Sequence, residues 1–305
     1  MKKRLAKSDF MMAYMIIITL ACTIGGFFFG AFYMKTEIES AQAAALEAEQ
    51  REAEKEQMLK EHKLYNEQDF VRFHYAVLAP VRELQNAHFG TIDMWADLDA
   101  KGQEEALKEL EKAAKETLKL LEKDVLLPTS PLLVQAHSNF TEGVRTYLAR
   151  MEQVRTAQNS NALSVQEVAS HFASPGENWA KAQEELYLSL ANWEASYVTR
   201  QAIPQEAPET VTIAQWKQYP FHYRTYLSAV SMTREGQWTA FYPEDLATRI
   251  DNLLASSDAA TIGVQDISGA VRLLYATDAI QPGDFTHLRK KIHPELKAPE
   301  IPIYN

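Results

Sequence analysis

Phe10 to Met34 is a run of 25 residues without a single charge, and few structures can accommodate such a stretch. As a helix it extends roughly 37 Å, at ~1.5 Å per residue. The hydrocarbon core of a bilayer asks for about 20 predominantly apolar residues, so residues 10–34 are expected to form a transmembrane helix with some tilt. Lys2, Lys3, Arg4 and Lys7 precede the run, while Lys35 and then Glu37 and Glu39 follow it. Basic flanks stay on the cytoplasmic side. The expected arrangement is a cytoplasmic amino terminus of residues 1–9, a lipid bilayer crossed once by 10–34, and an extracytoplasmic remainder at the cell membrane.

Two rival readings of the same run fit less well. A cleaved signal peptide has an apolar region of about 7–15 residues followed closely by a small-x-small site. Here the run is longer, and the nearest such sites, around Ala41 and Ala43, lie beyond Lys35, Glu37 and Glu39. A lipoprotein would use Cys22, but in Thr19-Leu20-Ala21-Cys22 the large aliphatic residue stands one place too late, and the run stays apolar well past the cysteine.

Within the run, Gly26 and Gly30 form a G-x-x-x-G pair on one helix face, where two backbones can approach closely. They are the candidate pairing face for a homodimer. Glycine is common in membrane helices, and Phe27, Phe28, Phe29, Phe32 and Tyr33 equally fit an interfacial aromatic belt on a plain anchor.

The composition narrows the function classes. A formal net charge of -10 argues against nucleic acid, which demands clustered Lys and Arg. The single cysteine, Cys22, sits inside the apolar run, so the rest of the chain has neither a disulfide nor a cysteine metal site.

Beyond the run the pattern is helical throughout. Residues 35–65, rich in Ala, Glu, Gln and Lys, read as a solvated helical stalk. Their apolar spacing is irregular, and a coiled coil, which needs sustained heptads, is the alternative reading. Phe70, Phe73, Val77, Val81 and Leu84 make one stripe over about 66–88, with a kink expected at Pro80. Gly90 and Gly102 bracket a short aromatic-acidic piece. The segment 103–126 carries a seam of Leu107, Leu110, Ala114, Thr117 or Leu118, Leu121 and Val125. A helix opening at Ser130-Pro131 carries Leu133, His137, Phe140, Val144, Tyr147, Met151 and Val154. Ser164 and Glu167 form a capping box, and Ser174 with Glu177 looks like a second one. The last long stripe is Trp179, Ala182, Leu186, Leu190, Trp193 and Tyr197.

Such stripes, joined by short loops, predict an all-α antiparallel bundle over 66–200. A linker at 201–209 follows, then a smaller helical subdomain at 210–293 with helices near 212–219, 221–233, 243–256, 264–277 and 283–292. An extended proline-rich tail ends the chain at 294–305.

No catalytic or nucleotide-binding motif is present. Asp97, Asp99, Gly102 and Glu105 mimic a calcium loop, but Lys101 and Lys108 stand where two oxygen ligands belong. His287 and His293 flank Arg289, Lys290 and Lys291, whose charges oppose a metal and suit a helix C-terminus. His137, within an apolar seam, reads as a hydrogen-bonded core histidine. No cofactor and no metal are expected.

The densest recognition chemistry is "WKQYPFHYRTY", whose Trp216, Tyr219, Tyr223, Arg224 and Tyr226 are the candidate partner or ligand surface; core packing is the competing reading. The chain is therefore expected to be a non-enzymatic, membrane-anchored scaffold or interaction module with a protein partner at the cell envelope. The alternatives are a sensor ectodomain signalling through a membrane partner and an envelope hydrolase without a recognisable motif.

Overall fold

The computed structural model describes residues 7–61, 64–123, 130–160, 163–236, 238–256, 263–294 and 296. Among these the structure is all helix, with one isolated bridge between Thr212 and Asp266 and no strand. The chain forms two compact units, residues 1–61 and 62–305.

In the first unit, α1 is one continuous helix, Lys7–Glu61. Nothing in its sequence interrupts it: no proline occurs, and the second half is rich in the strong helix formers Ala, Glu and Gln. Thr19 and Thr23 donate their hydroxyls back to the carbonyls of Met15 and Thr19, so both polar groups are satisfied within the helix. Among the described residues no helix is long and apolar enough to cross a membrane. The side chains of residues 10, 13, 28, 29, 31 and 32 lie outside the described set, and the expectation of a spanning helix at 10–34 rests on the sequence.

The second unit begins with Asn66, whose side chain accepts from the backbone N–H of Asp69 at 2.7 Å and caps α2, Glu67–Phe73. A π turn, His74–Leu78, leads into α3, Ala79–Met94. Pro80 cannot donate to the preceding turn, and the wider π turn directly before it takes up that mismatch. The helix does not stop near His88 as its stripe implied. It continues through Gly90, where a Cβ would meet nothing within 4 Å.

Asp99 caps α4, Ala100–Leu121, by accepting from Gly102 N at 2.7 Å. The calcium-loop mimic is thus a helix start. α5 is Pro131–Ser160, and its seam of Leu133, Phe140, Val144, Tyr147, Met151 and Val154 is buried. His137 in that seam bonds through Nε2 to the carbonyl of Leu121 at 2.9 Å. The Ser164–Glu167 capping box opens α6, Val165–His171. α7, Ala173–Glu194, starts at Phe172 with no side-chain cap, so Ser174 lies inside the helix rather than capping it. A π turn, Ala195–Thr199, and a left-handed Arg200 at φ 51° end that helix.

Five shorter helices follow: α8 (Ile213–Gln218), α9 (Phe221–Glu235), α10 (Pro243–Ala255), α11 (Ile267–Ala276) and α12 (Asp284–Ile292). α3 packs on α4, α4 on α5, α5 on α7, α7 on α9 and α9 on α10, which also carries α11 and α12. One hydrophobic core runs through this row from Tyr65 to Phe285. Residues 297–305 of the expected tail lie outside the described residues.

Candidate functional site

The chemistry-bearing groups of the second unit are inside it, where α3, α7, α9, α10 and α12 meet. Arg82 on α3 donates from Nη2 to Glu244 Oε1 and to Tyr187 OH, each at 2.8 Å. Tyr187 on α7 donates in turn to Glu244 Oε2, and the Arg82 guanidinium lies 4.0 Å over the ring of Tyr242. Tyr242 OH donates to Asn86 Oδ1 at 2.9 Å. Burial works against the Arg82 cation, but Glu244 beside it, with Tyr187 and Tyr242, raises its pKa above the ordinary value and keeps it charged.

The neighbouring residue behaves differently. Asp245 accepts from the backbone N–H groups of Tyr242, at 3.0 Å, and Phe285, at 2.9 Å. Burial, then repulsion from Glu244, pushes its carboxyl up to about 7 despite those bonds. Asp284 is gripped by Arg249 through both oxygens.

A second group lies between α7, α9 and α10. Glu194 Oε2 is 3.0 Å from both the backbone N–H and the ring Nδ1 of His222. Burial opposes its charge, yet His222 outweighs burial and leaves Glu194 below the ordinary carboxylate range. Asp251 Oδ1 accepts from Trp216 Nε1 at 2.6 Å and Arg224 Nη1 at 2.7 Å, while its Oδ2 lies 3.3 Å from His293 Nε2. Burial, then Arg224, lowers His293 to about 4. A carboxylate–histidine pair of this kind can orient and transfer protons. The Glu194–His222 pair is buried and joins α7 to α9.

The expected recognition stretch faces inward. Trp216, Tyr223 and Tyr226 are buried, Tyr219 is partly buried against the core, and Arg224 pairs with Asp251. It is core packing, because a row of short helices needs aromatic bulk to fill the space between them. Gly26 and Gly30 lie on α1, and a Cβ at either would meet nothing within 4 Å. Among the described residues no group of three or more His, Cys, Asp or Glu could hold a metal ion.

An aromatic nest around Trp238 carries no motif in the sequence. Trp238 stacks between Trp179, at 4.6 Å, and His88, at 4.5 Å, with Tyr147 and Phe172 completing the nest. Burial lowers His88 to about 3 and keeps it neutral, and its Nδ1 lies 3.2 Å from Tyr147 OH. No family model matches the chain, and no curated protein or solved structure matches it either.

Proposed function

We propose that the chain is a single-pass, membrane-anchored scaffold that presents a helical interaction module on the outer side of a cell membrane, and that it is not an enzyme. The observation that carries this reading is the uncharged run Phe10–Met34 behind Lys2, Lys3, Arg4 and Lys7. Ile16, Ile17, Leu20, Ile24 and Phe27 of that run are exposed along α1, and apolar surface of this extent calls for an apolar solvent or a partner. The charged, alanine-rich continuation from Lys35 to Glu61 is a rod of roughly 40 Å, at ~1.5 Å per residue, which suits a stalk. The non-enzymatic reading is supported by the internal polar groups. Glu244, Asp284 and Asp251 are bonded to guanidinium groups, and Asp245 to backbone N–H groups.

Protease shaving of intact cells tests the reading, using the full chain with a carboxyl-terminal tag. The tag is expected to vanish from intact cells and the protein to stay with membranes through an alkaline carbonate wash. Survival of the tag until lysis would overturn the orientation, and release by carbonate would overturn the anchor.

A further inference from the structure

The outward ridge of α4 carries Glu105, Glu109, Lys112, Glu116 and Lys119, and Lys123 in the bend just past the helix continues it, at spacings of 4, 3, 4, 3 and 4. That is a heptad stripe, which stays on one face of a helix. Leu107, Leu110, Ala114, Thr117 and Leu121 face the core from the opposite side, and all six stripe residues are exposed. Along the stripe the signs run acid, acid, base, acid, base, base. Read from the other end, every acid is replaced by a base and every base by an acid. A stripe with that property is complementary to itself when two copies lie antiparallel.

We infer that the outer face of α4 docks the same face of a second copy of this chain, antiparallel across a two-fold axis near its midpoint. Glu105 of each copy then meets Lys123 of the other, Glu109 meets Lys119, and Lys112 meets Glu116. No stripe position opposes a like charge, and an isologous interface pairs each stripe residue with its counterpart in both directions. Among the described residues Glu109, Lys112, Glu116, Lys119 and Lys123 make no ion pair, and Glu105 makes only an exposed one with Lys101 at 3.7 Å. Their charges are available to a partner.

The flanks fit as well. Leu120, 48% exposed, edges a hollow of 840 Å³. In the antiparallel register Ala106 and Ala113 of the second copy lie on the same side of the seam as this leucine, and covering its exposed apolar surface there adds to the pairing. Ala113, beside the axis, leaves room for close approach. Exposed ion pairs are individually weak and screened by salt, so the dimer is a weak, salt-sensitive one that confinement to a membrane would strengthen. The inference deepens the interaction-module reading and rests on it for the use of the pairing, by naming the partner as a second copy.

The test uses the full chain in detergent micelles at low salt. Carboxyl–amine crosslinking is expected to join Glu109 to Lys119 and Glu116 to Lys112 between copies, mapped by mass spectrometry of mixed isotope-labelled and unlabelled chains. Sedimentation is expected to show the dimer population falling about ten-fold in Glu109→Lys and in Lys119→Glu, and recovering to within about two-fold in the double variant, as a pair in direct contact should. Unchanged thermal melts show that the variants fold. A monomer under all conditions, a dimer indifferent to both reversals, or a double variant that fails to recover would overturn the inference. A dimer held through Gly26 and Gly30 is such an indifferent one. None of these outcomes touches the shaving result, so the two readings fail separately.

Discussion

Three carboxylates, Glu244, Asp245 and Asp284, meet two guanidiniums, Arg82 and Arg249, where α10 and α12 begin. The carboxylate without a guanidinium partner is Asp245, pushed up to about 7 by burial and by Glu244. A carboxyl raised in the folded state favours folding as it takes up its proton. This contribution grows as pH falls through about 7 and is lost as pH rises through it. The opposite sign applies to His74, His88 and His293, which burial lowers to about 4, about 3 and about 4. Each penalises folding once pH drops below the ordinary histidine value. Asp251 and Glu185, raised by burial to a smaller degree, oppose that acid limb only in part. The melting temperature is therefore expected to rise from pH 8.5 to about 6.5 and then fall, about 1.4 kcal/mol per pKa unit setting the scale. Thermal melts of Asp245→Asn should lose the alkaline limb and keep the acid one. Packing makes an equally local prediction at Gly176, where a Cβ would lie 2.7 Å from Trp238 Cβ. Trp238 stacks on His88 and Trp179, so relieving the clash disturbs both contacts, and Gly176→Ala should cost about 1–3 kcal/mol. Urea unfolding would show it as a lower midpoint at unchanged slope.

At the scale of elements, helix starts with a side-chain signature were legible and joints between helices were not. Ser164 with Glu167 marks a start the structure keeps, because capping is a contact between residues three or four apart; α5 also starts at Pro131, but the Ser130 hydroxyl bonds that of Ser189 at 3.1 Å. Ser174 carried the same signature and failed, since the turn at Phe172 lets α7 begin before it. Gly90 was read as a break, yet one glycine costs only about 1 kcal/mol in a helix, less than the core beneath α3 returns. The joint between α3, α7 and α10 was invisible for another reason. Arg82 and Glu244 are 162 residues apart, and each alone looks like an ordinary charge on a solvated face. Removing one partner of a buried pair leaves the other uncompensated, so Glu244→Gln should destabilise the second unit by about 3–5 kcal/mol. A parallel measurement on Arg82→Met combined with Glu244→Leu should recover much of that loss, which separates the pair's own worth from the cost of an orphaned guanidinium.

At the scale of the whole molecule, composition located the change of texture at residues 201–209 but not its consequence. Proline and acidic residues made "PQEAPE" read as a linker, and the segment is indeed non-helical. Yet Ile203 and Ala207 pack against the core, Val211 is buried, and the carbonyl of Val211 accepts from Ile267 N at 3.0 Å. The aromatic stretch that begins at Trp216 looked like a surface for the same reason: its sequence shows amphipathic side chains and not the helices that cover them. Tyr223 packs within α9 beside α7, and Trp216 is tied to Asp251 of α10, so the residues on either side of 201–209 share one core. Shared burial couples their unfolding, because opening one side exposes the apolar surface of the other. Residues 62–305, expressed without α1, should therefore unfold in a single calorimetric transition whose calorimetric and van't Hoff enthalpies agree. Two separable transitions, with the earlier one lost on deletion of 210–305, would mean that 201–209 divides two domains and that the core drawn across it contributes little.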